Sequence, residues 1–122
     1  IIAQNKGALL LESKKNGIMK EITPIKKEVF PMRSVRLTVK GRVQGVGFRY
    51  LTKMVADRLG VLGRVWNEAD GSVTIEAQGP EEIMADFIAE IRKSPSPQGK
   101  VTSLSIEEIP AFSATRFQVT YR

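Results

Sequence analysis

Residues 34–79 read SVRLTVKGRVQGVGFRYLTKMVADRLGVLGRVWNEADGSVTIEAQG, and this run decides the fold. It opens with alternation: Val35, Leu37 and Val39 are apolar, while Arg36, Thr38 and Lys40 are polar. A period of two marks a strand with one buried face. A glycine-rich loop, GRVQGVGFR, follows, and then RYLTKMVADRLG. Tyr50, Leu51, Met54, Val55 and Leu59 form a helical stripe there, and Gly60 suits a left-handed stop. VLGRVWN and GSVTIEAQG predict two further strands. Asp70 and Gly71 supply the turn between them, glycine taking the positive φ that such turns need.

Outward from this run, PEEIMADFIAEIRK predicts a second helix. Pro80 suits its first turn, Glu81 and Glu82 favour its positive end, and Ile83, Phe87, Ile88 and Ile91 form its apolar stripe. SPSPQG is a loop, and KVTSLSIEEI and TRFQVTYR are the last two strands. The order is β-α-β-β-α-β plus a terminal strand. It predicts an α+β, ferredoxin-like split βαβ fold, with two helices on one face of a largely antiparallel sheet.

The 122 residues suit one domain, and 42% hydrophobic residues allow a real core. The chain has no cysteine and no histidine, which excludes disulfides, thiolate nucleophiles, cysteine-bound metal and the commonest general base near neutral pH. The net charge of +6 is uneven. Residues 1–33 carry seven Lys/Arg against three Glu, and residues 34–122 carry twelve against ten acids, so the folded part is only mildly basic. Residues 1–33 show no sustained period, are interrupted by Pro24 and Pro31, and begin on Ile1. They read as an N-terminal extension to a domain at 34–122. The longest early apolar run, Ala8 to Leu11, is too short for a signal core or a membrane span. The expectation is a cytoplasmic protein, a monomer, with no membrane and no nucleic-acid partner.

Two strings carry chemistry. In GRVQGVGFR, successive backbone N–H groups between a strand and a helix can converge on one anion, and the helix N-terminus adds unpaired donors and partial positive charge. Arg49 can fork onto two phosphate oxygens, and Phe48 would anchor the loop in the core. The same glycines also suit a merely tight connection with Arg49 in solvent. A Walker A string is absent, and the dinucleotide fingerprint fails because Tyr50 stands where its third glycine belongs. In GRVWNEADGSV, strand parity puts Asn67 on the helix-facing side with Val65, at the rim where the first loop can reach. An asparagine opening a turn is equally ordinary.

Together the strings resemble the acylphosphatase family: GRVQGVGFR matches its first signature, and GRVWNEADGSV fits its second, G-x-V-x-N-x-x-D-G-x-V. The resemblance covers about residues 34–122. It implies metal-free hydrolysis of acyl phosphates without a cofactor, with inorganic phosphate as product and inhibitor. By position, it implies that the loop Gln44, Gly45, Val46, Gly47, Phe48 and Arg49 holds the phosphate, that Arg49 and Asn67 are catalytic, and that Asn67 positions the attacking water. Thr52 matches a threonine that supports this geometry. The family often has Trp just after the glycine of the second signature and a polar residue just before Asn. Here Arg64 and Trp66 exchange those types, which bears on surface character and substrate preference but leaves Asn67 in place. Asp70 and Glu68 are assigned to the turn, since carboxylates beside the loop would repel the substrate.

Two readings compete. A nucleic-acid module of this topology needs aromatics on its central strands, and the first and third strands have none. A regulatory anion-binding domain without catalysis would share Arg49, and Asn67 discriminates it. Acylphosphatase-like domains of larger carbamoyl-transfer proteins carry long C-terminal additions, whereas this sequence ends at Arg122; the free-standing enzyme is expected.

Overall fold

A computed structural model describes residues 31–122. The expected N-terminal extension, residues 1–33, lies almost wholly outside the described residues. The elements run β1 (Met32–Arg42), α1 (Phe48–Leu59), β2 (Leu62–Asn67), β3 (Val73–Pro80), α2 (Glu81–Arg92), β4 (Lys100–Glu108) and β5 (Phe117–Val119). The strands form one sheet in the order β4-β1-β3-β2-β5. All neighbours are antiparallel except β2 and β5, which run parallel. This is the predicted ferredoxin-like architecture.

Strand alternation sets the layers. Val35, Leu37, Val39, Val65, Ile75 and Ala77 are fully buried and join one core cluster with Phe48, Phe87, Ile91 and Phe117. α1 packs on β2 and β5, α2 packs on β1 and β3, and the two helices touch. Burying these side chains is the main favourable term, at ~25 cal/mol per Å² of apolar surface. The rings of Phe87 and Phe117, 6.1 Å apart and tilted, tie α2 to the short β5.

The phase of α1 differs from the expected stripe. Phe48, Thr52, Val55 and Ala56 are buried, while Tyr50 is 61% and Met54 50% exposed. Phe48, locked in the core at the first helical position, fixes the rotation. Positions at i, i+4, i+7 and i+8 then face inward, which turns Tyr50 and Met54 outward. In α2 the stripe starts one residue later than expected: Met84, Phe87, Ile88 and Ile91 are buried and Ile83 only partly. Pro80 is the N-cap rather than the first helical residue.

Candidate active site

The loop between β1 and α1 contains two left-handed residues, Gly45 at φ 75° and Gly47 at φ 76°. A side chain is strained at such angles. Gly47 is the N-cap of α1 and brings no side chain to cap it. The first backbone bond of the helix runs from Leu51 N to Gly47 O at 3.0 Å. The N–H groups of Phe48, Arg49 and Tyr50 therefore have no intrahelical acceptor, and the positive end of the helix is open. Phe48 is 1% exposed, so the core fixes the start of the helix.

A cleft of about 630 Å³ opens at this point. Its wall includes Gly45, Gly47, Phe48 and Arg49 from the loop and helix start, together with Asn67 from the end of β2. The two sequence strings thus meet in one cavity. Asn67 Oδ1 is buried and accepts no hydrogen bond among the described residues. A buried polar atom without a partner is costly, and an unused acceptor in a cleft points to a ligand or ordered water. Thr52 Oγ1 is likewise buried and unpartnered, one turn into α1.

Gln44 and Val46 belong to the loop but not to the cleft wall. The Gln44 carboxamide Nε2 donates to the carbonyls of Glu68 and Ser72, both at 2.9 Å. It clamps the glycine loop to the turn that follows Asn67. Val46 packs partly on the core, and its carbonyl accepts a 2.6 Å bond from the Ser96 hydroxyl. Ser96, in the loop after α2, is 2% exposed and carries no signal of this role in the sequence. Nothing marks a serine between two prolines as a support for a loop fifty residues earlier.

The cations in the wall are Arg49, Lys53 and Arg116, and no carboxylate lines it. The Arg49 guanidinium lies 5.0 Å from the centre of the Tyr121 ring, a contact that orients it without neutralising it. Asp70 and Glu68 sit in the turn, as expected. Asp70 Oδ1 accepts from the Ser72 hydroxyl and amide at 2.6 and 2.9 Å, bonds that hold its carboxyl below the usual range. Glu68 Oε2 accepts from Trp66 Nε1 and the Thr74 hydroxyl on the face of the sheet away from the helices. Trp66 and Arg64 share that face, Trp66 under the Arg122 guanidinium and Arg64 on Glu76, and neither reaches the cleft. The exchange of residue types in the second string therefore alters the far surface and leaves the cleft wall untouched. Among the described residues, no group of three acidic side chains could hold a metal ion, and no helix is long and apolar enough to cross a membrane.

Fold and cleft together define a small α+β protein with a cationic, acid-free cavity at a strand–glycine loop–helix junction. A search of protein families matches the acylphosphatase model to residues 35–119. An acylphosphatase of Enterococcus faecalis is 60% identical over 84 residues, 69% of this chain and 92% of that one. An acylphosphatase of Pediococcus pentosaceus is 48% identical over 90 residues, 74% of this chain and all of that one. The crystal structure of acylphosphatase from Bacillus subtilis superposes with a TM-score of 0.70 at 40% identity, covering 75% of this chain and all of that one. The chain belongs to the acylphosphatase family.

Proposed function

We propose that this chain hydrolyses the carboxyl–phosphate bond of acyl phosphates to a carboxylate and inorganic phosphate, with Arg49 and the loop amides holding the phosphoryl group and Asn67 placing the water. The observation that carries this reading is the meeting of Arg49, the uncapped start of α1 and the unpartnered Asn67 Oδ1 in one cleft without a carboxylate.

The chemistry asks little more. An acyl phosphate is a mixed anhydride whose carboxylate leaves readily. Its transition state is loose, with charge spread over the equatorial oxygens, so catalysis is positioning and charge stabilisation. The Arg49 fork and the N–H groups of the loop and helix start bind those oxygens. The Asn67 oxygen accepts a hydrogen bond from the attacking water and aims its lone pair at phosphorus. As the P–O bond to the carboxylate breaks, the water oxygen bonds to phosphorus and its proton passes to a phosphoryl oxygen. That transfer accounts for a site with no histidine. Thr52 supports the geometry from the second turn of the helix, and Gln44 acts through its clamp on the Asn67 turn. Inorganic phosphate, which presents the same oxygens, is both product and competitive inhibitor.

The test compares benzoyl phosphate with phenyl phosphate. Benzoate is a good leaving group, whereas phenolate is a far poorer one, and the chain has no histidine to protonate it. Hydrolysis of benzoyl phosphate with negligible release from phenyl phosphate is the expected result. Turnover of the monoester alone would overturn the assignment.

A further inference from the structure

The cleft is larger than a phosphate requires and runs along α1 and β5. At one end the Arg49 guanidinium stacks on Tyr121. At the other, Lys53 Nζ donates to the Phe117 carbonyl at 3.1 Å, beside Arg116. Four residues separate Arg49 from Lys53 on the helix, a rise of about 6 Å. The same interval from Tyr121 back to Phe117 spans about 13 Å along an extended chain. A phosphate seated at Arg49 therefore leaves the groove towards Arg116 for the acyl group.

The far end is positively charged, and the exposed Arg116 side chain extends from a fixed backbone. The Lys53 ammonium is already engaged by Asp57 Oδ2 at 2.7 Å and by the Phe117 carbonyl. Arg116 makes no ion pair among the described residues. Its backbone is fixed, since Gly63 N donates to the Arg116 carbonyl at 3.2 Å and Thr120 N to the Val65 carbonyl at 2.8 Å. These bonds clamp β5 to β2, the strand that ends in Asn67. Arg116, just before β5, and Asn67, at the end of β2, thus flank one hydrogen-bonded pair of strands, and no carboxylate in the wall competes for the Arg116 guanidinium.

We propose that Arg116 makes this groove select acyl phosphates whose acyl group carries a second anion, a carboxylate or a phosphate, at its far end. The proposal rests on the acyl phosphate reading above and names the substrate class within it.

The experiment measures kcat/KM for 4-carboxybenzoyl phosphate and 4-methylbenzoyl phosphate, rigid substrates that differ at the far end of the ring. In the parent chain the ratio should be roughly tenfold in favour of the carboxylate, the worth of one charge-assisted contact. Arg116→Gln should bring the ratio close to one, and Arg116→Lys should keep part of it. A 4-phosphonobenzoyl phosphate arm separates the two anions: a ratio above that of the carboxylate identifies a phosphorylated acyl group, and one below it a carboxylated group. A second measurement needs no variant, because the ratio in the parent should fall as salt rises from 0.02 to about 0.5 M. A parental ratio near one, a ratio unmoved by Arg116→Gln, or a ratio indifferent to salt overturns the proposal while leaving acyl phosphate hydrolysis standing. Failure of the parent to hydrolyse either substrate overturns the underlying reading and the proposal with it.

Discussion

On the face of the sheet away from the helices, Arg36 and Arg64 close on one carboxylate, Glu76, at 2.8 and 2.9 Å, and Arg36 also meets Glu107 at 3.2 Å. On the helix-covered side, Arg49 and Arg116 face a cleft whose wall holds no acid. One side chain type serves two purposes, and the carboxylate decides which. A guanidinium answered within the sheet has little field left for a ligand. One left facing a concave, partly desolvated wall keeps its attraction for an anion.

The largest effect is expected at the unanswered cation. Arg49→Gln removes the fork from the phosphoryl oxygens and should lower kcat/KM by about 10³–10⁵, the range for an arginine stabilising phosphoryl transfer. It should also weaken inhibition by inorganic phosphate. Folding should survive, because Arg49 is only half-buried and its one assigned contact is the Tyr121 ring. Unchanged phosphate inhibition would mean that the anion sits elsewhere in the cleft.

Next comes Asn67→Ala, which sharpens the contrast by separating charge from positioning. Loss of one preorganised polar group at the reacting centre costs about 10²–10³ in kcat. Phosphate inhibition should persist, since Arg49 and the loop amides remain. Stability should change little, because Asn67 Oδ1 makes no hydrogen bond to lose. A folded variant with parental kcat would remove Asn67 from the mechanism.

Much of this site could be read from the chain before its structure. Alternation along β1 and β2 placed Asn67 on the helix side, and the glycines around Phe48 marked a loop with an anchor. Local signals of period and turn chemistry suffice for both. What escaped the sequence depends on contacts between distant segments. Tyr50 and Met54 are apolar enough to complete a helical stripe in the sequence, and only the seating of Phe48 in the core turns them outward. Gln44 reads as a loop amide, yet its side chain bridges to the carbonyls of Glu68 and Ser72. Arg116 and Tyr121 reach the cleft only because β5 returns to pair with β2 in parallel. TRFQVTYR reads as a strand, but nothing local limits it to Phe117–Val119 or names β2 as its partner.

The smallest effect on turnover, and the sharpest test of the comparison, lies on the far face. Burial pushes the Glu76 carboxyl up, but hydrogen bonds from Arg36 and Arg64 outweigh it and hold the group below the usual range. A carboxylate with a depressed folded pKa stabilises the protein fully above its unfolded value of ~4.3, and that contribution is lost as pH falls through the lower folded value. Glu76→Gln keeps one acceptor and no charge. Hydrogen bonds to a charged group contribute about 1.5–3 kcal/mol. The side chains of Arg36 and Arg64 are 40% and 46% exposed, so water recovers part of that loss. The expected cost is about 2 kcal/mol at pH 7, measured by urea unfolding, with kcat for benzoyl phosphate unchanged. The gap between parent and variant should close as pH falls below about 4, because the parent's carboxylate becomes protonated and the glutamine has nothing to titrate. A gap that stays constant down to pH 3 would mean that Glu76 acts through packing rather than charge. A large fall in kcat would mean that the two faces are coupled through β2 and β3, and that answered and unanswered arginines are not independent.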